Sequence, residues 1–362
     1  MADKLKDLFF THSSINEMGN AIQRFYPSFD KENFTALVFG SSWEAKELKE
    51  KMRHTTVCLH EVLPESYEEA LDILMKVAPS VKGFDALALP EYVMLYGMDN
   101  WDLSLPALRH FTQYSTSELA IRPFLKKDLE RIMEHMSEWA EDGDPNIRRL
   151  ASEGCRPRLP WALGVPQLKK DPSPILPILE KLKNDESDDV RRSVANNLND
   201  ISKDHPELVL GICEEWYGQT KYTDKIVKHA CRSLLKAGNE RALAIFGITN
   251  SNDLKIEYFK LNNRRISIGE NLMFSFELII DEKKDAKVRL EYCLSFRKAN
   301  GSLSKKVFKI AEGTYRPGKH PFTRKYSFVD LSTRKHYAGD HHISIILNGI
   351  EAVKDSFELM PM

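Results

Sequence analysis

The residues with most chemical potential lie between positions 115 and 205. Glu153 falls near the end of Asp144-Pro-Asn-Ile-Arg148-Arg149-Leu-Ala-Ser-Glu153-Gly-Cys-Arg156-Pro-Arg158-Leu-Pro-Trp161. A helix running from Pro145 to Gly154 puts Glu153 in its last turn, where the helix dipole disfavours an acid. A salt bridge to Arg149 or Arg156 accounts for it locally. The setting argues for more than a salt bridge, because Arg148, Arg149, Arg156 and Arg158 crowd around two prolines and Trp161. Trp161 reads either as core or as the tip of a restrained basic loop. Asp200 repeats the oddity: Asn196, Asn197 and Asn199 sit in a helix, where Asn is a poor former, and Asp200 again falls near its end. Such residues either form a surface that reads something polar or mark a fraying helix end. Glu118, in Ser115-Thr-Ser-Glu118, fits a capping box with the backbone N–H of Ser115 as well as it fits a functional acid.

Other chemistry finds little support. A Walker A loop, GxGxxG, HExxH and GxSxG are all missing. Five cysteines without a CxxC suggest neither a zinc site nor a disulfide framework. His341-His342 reads as an exposed polar hairpin with no further ligands to complete a metal site. No metal or cofactor is expected.

The elements that must position these residues change character along the chain. At roughly 150 residues per domain, 362 residues suggest two domains, which we place at 1–253 and 254–362. The first reads as helix after helix, with apolar residues at helical spacing over 43–60, 64–78, 123–141, 189–202 and 222–238. Pro64, Pro123 and Pro145 suit first turns, Asp144 and Asp188 suit N-caps, and Gly154 and Gly238 suit C-terminal caps. Asp144-Pro-Asn-Ile147-Arg148-Arg149 returns as Asp188-Asp-Val190-Arg191-Arg192, with a looser copy at Lys225-Ile-Val227-Lys228. This spacing matches HEAT-like repeats, whose helix pairs stack into a solenoid with a concave face. An irregular helical bundle is the alternative.

Beyond residue 253 the period drops to two, as in Leu272-Met-Phe274-Ser-Phe276-Glu-Leu278, and Asn300-Gly301 and Asn348-Gly349 signal hairpins. About seven short strands fit an all-β immunoglobulin-like sandwich. Charges nearly balance overall, 52 basic against 53 acidic. Residues 254–362 nevertheless carry an excess of Lys and Arg, which suits contact with phosphates. No apolar run approaches the roughly 18 residues of a membrane span, and the first residues lack a signal-peptide core. A cytoplasmic, monomeric protein with reduced thiols and no membrane contact is expected.

Three stretches together resemble a known family: Ser117-Glu118-Leu-Ala-Ile-Arg-Pro-Phe, Arg148 to Trp161, and Val190-Arg191-Arg192-Ser-Val-Ala-Asn196-Asn197-Leu-Asn-Asp200. They are similar to the bacterial DNA alkylation repair glycosylases called AlkC, which belong with AlkD in the HEAT-like-repeat superfamily. The likeness covers about residues 1–250, and the β module resembles the immunoglobulin-like extension of some AlkC proteins. The resemblance implies base excision repair of damaged double-stranded DNA, releasing 3-methyladenine and related N3-alkylated purines without flipping the base into a deep pocket. It maps Glu118, Glu153 and Asp200 to the active-site acids and Trp161 to the aromatic facing the lesion. Arg148, Arg149, Arg156, Arg158, Arg191, Arg192 and Asn196 would then contact the DNA.

The chemistry is consistent. An N-alkylated base is cationic and leaves readily, and the sugar it leaves behind acquires oxocarbenium character. Carboxylates stabilise that cation, and one of them can deprotonate the attacking water. The competing expectation is a scaffold that binds protein or DNA without catalysis. A scaffold would scatter these residues, whereas an enzyme would bring them together.

Overall fold

The computed structural model describes residues 5–281, 283–331 and 334–361. Its contacts divide the chain into two compact units. One runs to His205 and includes 218–230; the other comprises 206–217 and everything from Cys231 onward. Among the described residues no helix is long and apolar enough to cross a membrane.

The first unit is helical, and the repeated stretch explains its middle. The helices Pro145–Gly154, Asp188–Ile201 and Lys221–Ala230 pack side by side. Each buries an apolar stripe at three- and four-residue spacing: Ile147, Leu150 and Ala151; Val190, Val194 and Leu198; Ile226, Val227 and Ala230.

The first arginine of each pair ties the turn before its own helix. Arg148 donates to the carbonyls of Asp142 and Gly143, and Arg191 donates to that of Asp185. Asp142 and Asp185 each also accept the backbone N–H two residues on, at 2.9 and 2.8 Å. Neighbouring repeats are joined through the same acids, since Arg109 bonds Asp142 and Arg148 bonds Asp185 at 2.6 Å. The repeat is thus written in a ladder of Arg–Asp pairs as much as in apolar spacing.

Several local expectations change. The reading of 123–141 as one helix gives way to two, Arg122–Lys127 and Leu129–Trp139, because Asp128 is extended and caps the second through the Arg131 N–H. Ser187, not Asp188, is the N-cap of the third stretch's helix. Pro64 precedes a helix that starts only at Tyr67, with Ser66 as its cap. Gly154 is demanded by packing rather than by a cap: a Cβ there would lie 2.8 Å from Met136 Cε and 3.1 Å from Ile121 Cγ2.

Among the described residues the second unit combines the helices Pro206–Trp216, Arg232–Lys236 and Glu240–Ile245 with eight strands, one more than expected. These are β1 (Leu254–Leu261), β2 (Arg265–Ser267), β3 (Asn271–Ile280), β4 (Ala286–Arg297), β5 (Leu303–Tyr315), β6 (Gly318–Ser327), β7 (Gly339–Leu347) and β8 (Ile350–Met360). They form two sheets, ordered β1-β3-β6 and β2-β8-β7-β4-β5. Alternating residues such as Leu272, Phe274, Phe276 and Leu278 fill the space between them. Both Asn-Gly signals are hairpins. At Asn348-Gly349 both residues have positive φ, 48° and 84°, the type I′ geometry that matches strand twist. His341 departs from the exposed-hairpin reading: it is buried on β7 and stacks on Phe357, and burial pulls its pKa down.

The β7–β8 turn also anchors the helical part of its unit. The Asn348 side chain bonds the Arg289 N–H and the Thr249 carbonyl, both at 2.8 Å. Gly238 has φ +71°, and a Cβ there would lie 2.5 Å from the Gly349 carbonyl oxygen. Gly238→Ala therefore combines left-handed strain with a backbone clash. It should cost on the order of 2 kcal/mol or more, read as a lower melting temperature. An unchanged melting curve would show that helices and sandwich are not docked through this turn.

Candidate functional site

The candidate acids sit on three elements of the first unit. Glu153 is the penultimate residue of Pro145–Gly154, Asp200 that of Asp188–Ile201, and Glu118 lies in the turn before Arg122–Lys127. The capping box expected at Ser115 does not form: the Ser115 N–H bonds Phe111, and Glu118 accepts from the Thr116 hydroxyl at 2.9 Å. That frees Glu118 to meet Arg149 Nη2 at 2.8 Å.

Two arginines draw the three carboxylates into one network. Arg149 reaches Glu118 and stands 3.9 Å from Glu153 Oε1. Arg156 donates from Nη1 to Glu153 Oε1 at 2.5 Å and from Nε to Asp200 Oδ2 at 2.9 Å. Its Nη2 lies 2.9 Å from the same Asp200 oxygen. The remaining oxygens are also served. The Ser193 hydroxyl donates to Glu153 Oε2 at 2.7 Å, and Lys203 lies 3.2 Å from Asp200 Oδ1. Glu153, Arg156 and Asp200 are all buried. For Arg156 burial alone would pull the guanidinium down, but Glu153 and Asp200 outweigh it and hold it above its ordinary value.

The 155–163 loop is held from below by Arg122, which the sequence reading missed. Fully buried, it donates to the carbonyls of Gly154 at 2.7 Å, Arg156 at 2.8 Å and Leu163 at 2.9 Å. Desolvation pulls its pKa to about 10. Its only advance signal was an arginine in an otherwise apolar Ile-Arg-Pro-Phe stretch. Trp161 is not core: it is 55% exposed, and its backbone has φ +65°. Lys49 donates to its carbonyl at 2.6 Å. It edges a cavity of about 1070 Å³ with Lys46, Lys49, Arg53 and His54 on one side and Leu119, next to Glu118, on another. Trp161 is therefore beside the acid network rather than within it.

The other candidates divide. Arg148 and Arg191 are the repeat staples, and Arg191 also lies 4.0 Å over the Tyr222 ring. Arg192 is 64% exposed and, among the described residues, pairs along its own helix with Asp189 at 3.1 Å. Arg158 is partly exposed and meets Asp204 at 2.7 Å. Asn196 faces His229 Nε2 at 2.9 Å. Asn197 and Asn199, expected on a polar surface or a fraying helix end, are buried and brace neighbouring elements through the carbonyls of Ser152 and Ala230, each at 2.8 Å. Among the described residues no group of three or more His, Cys, Asp or Glu side chains is arranged to hold a metal ion.

A helical repeat-like part followed by a β-sandwich is an architecture with known relatives. A family model described as "DNA alkylation repair enzyme" matches residues 65–241, and one for the YhaZ C-terminal Ig-like domain matches 255–361. The chain is 48% identical over 359 residues to the uncharacterized protein YhaZ of Bacillus subtilis (strain 168), covering 99% of each. It is 36% identical to the Pseudomonas fluorescens alkylpurine DNA glycosylase AlkC, solved bound to DNA containing an abasic site analog. There the alignment covers 99% of both chains with a TM-score of 0.94. The chain belongs to the AlkC family of DNA alkylation repair enzymes.

The arginine pairs differ in a testable way. Arg148→Ala leaves the nearly buried Asp185 carboxylate without its cation and should cost about 2–4 kcal/mol. Arg192→Ala should stay within about 0.5 kcal/mol. Melting curves of the two variants would show this, and equal losses would contradict the staple assignment.

Proposed function

We propose that the chain is a base-excision DNA glycosylase that hydrolyses the N-glycosidic bond of cationic N-alkylated purines in duplex DNA, chiefly 3-methyladenine and related N3-alkylpurines. The observation that carries this reading is the joining of Glu118, Glu153 and Asp200 through Arg149 and Arg156, beside the exposed Trp161. A solenoid of HEAT-like repeats would present this edge as a concave face to a bent duplex, with the lesion left in the stack. The functional division falls at 1–253 for the glycosylase part and 254–362 for an accessory β clamp.

Before DNA binds, the network is electrically balanced: three carboxylates face Arg149, Arg156 and Lys203. Two of those cations are movable, since Arg149 is 31% and Lys203 42% exposed at the side chain. In this reading both turn to phosphates when the duplex arrives, as do Arg158, Arg192 and Asn196, while Arg148 and Arg191 hold the repeats that present them. Arg156 stays. The carboxylates then carry excess negative charge where the sugar becomes cationic, a stabilisation that grows toward the transition state. Glu153 and Asp200 face the sugar and the attacking water, one of them taking the proton, and Glu118 completes the negative surface. Trp161 meets the charged base by cation–π contact, worth roughly 1–2 kcal/mol when desolvated.

Glu153→Gln and Asp200→Asn test the assignment. Each should keep most DNA affinity while single-turnover release of 3-methyladenine from methylated duplex falls on the order of 10²–10³-fold. The double variant should lose less than the product, because the two acids act as a unit. Unimpaired excision in both single variants would remove the acids from the mechanism.

A further inference from the structure

We propose that Arg156 is a positioning residue for the reaction, the shared cation that fixes Glu153 and Asp200 in place, and not a phosphate contact. This rests on the glycosylase reading above. The side chain is only 8% exposed, and Nε, Nη1 and Nη2 all engage the two carboxylates. No face is left for a DNA backbone. Its main chain is pinned as well: the Arg156 N–H bonds the Glu153 carbonyl at 3.2 Å, and Arg122 holds the Arg156 carbonyl.

The arrangement answers a specific problem. Glu153 and Asp200 both lie in last helical turns, where unsatisfied carbonyls already make the site negative. Two buried carboxylates from adjacent helices would repel each other and turn apart. One guanidinium between them neutralises both and, through its rigid planar fork, sets their separation and orientation. Lysine, a point charge on a flexible stem, cannot hold two carboxylates in this way. The remaining charges around the pair are Arg149 on the helix of Glu153, Glu118 from the preceding turn, Arg122 and the Cys155 thiol beneath, and Lys203 beyond Asp200. Of the cations, Arg149 is half-buried and Lys203 exposed, so the buried Arg156 is the partner that can stay while DNA is bound.

The test uses the full chain with Arg156→Lys and Arg156→Gln. Excision of 3-methyladenine from methylated duplex is followed by single turnover across pH, alongside melting curves and affinity for an abasic-analogue duplex. For Arg156→Gln, excision at neutral pH should fall at least about 10²-fold. In both variants the loss should fall on the excision step at every pH, because neither glutamine nor a lysine point charge on a flexible stem fixes the separation of the two acids. Affinity for the abasic duplex should change less than threefold. Excision at the wild-type rate in a folded variant would overturn the proposal, as would a tenfold affinity loss with a shallower salt dependence, the mark of a phosphate contact.

The wild-type chain supplies a reading that needs no variant to fold. The Arg156 Nε–H resonance should keep its position and slow exchange when abasic duplex is added, and a large shift would contradict the fixed role. A wild-type chain that releases no alkylated base would instead remove the glycosylase reading itself, and this role with it.

Discussion

Two carboxylates at the negative ends of adjacent helices are stable in a buried place only when a cation lies between them, and Arg156 is that cation. Much of the surrounding structure serves this contact. Ser193 occupies the second oxygen of Glu153, so that acid is satisfied on both sides. Arg122, buried under the loop, spends its hydrogen bonds on the main chain that carries Arg156 and leads to Trp161. Gly154 lets that loop leave the helix against Met136 and Ile121, where any side chain would collide. A site assembled this way is preorganised: its charges are oriented before a substrate arrives, which is the condition for electrostatic stabilisation of a developing cation.

The same logic of paired charges builds the scaffold. Arg109–Asp142 and Arg148–Asp185 link successive repeats through equivalent turns, and Asn197 and Asn199 tie the helix between to both neighbours. These contacts are polar and directional, so they set register between helices whose apolar stripes would tolerate sliding. The second arginine of each pair, Arg149 or Arg192, is left toward solvent by the 100° step between adjacent helical residues. One dipeptide thus supplies a staple and an exposed cation.

The sequence made the broad design legible because periodicity and turn chemistry are local. The 3.6-residue stripes through 145–154 and 188–201, the switch to alternation near 254 and the Asn348-Gly349 turn all correspond to structure. The dipole argument also singled out Glu153 and Asp200, since an acid in a last turn needs a partner. What the sequence could not show was which partner. Arg148, Arg149 and Arg156 look alike in a string of letters, and only the placement of Asp185, Glu118 and Asp200 from other elements tells them apart. Asn197 and Asn199 looked like a reading surface because their bracing carbonyls lie on other elements. Arg122 and Lys203 went unnoticed because their partners are defined only by the loop and helix end they support. His341 looked exposed until three-dimensional packing set it on Phe357.

Carboxylates held by Arg156 that stabilise a positively charged sugar must also bind a cationic sugar mimic more tightly than a neutral one. The most direct measurement compares two duplexes that differ at one position, one carrying a neutral tetrahydrofuran abasic analogue and the other a cationic pyrrolidine analogue that mimics the oxocarbenium. Binding should favour the cationic analogue by at least about tenfold, as expected for a transition-state mimic. The preference should shrink toward unity in the Glu153→Gln/Asp200→Asn protein. Equal affinity for the two duplexes in the wild-type protein would contradict the account.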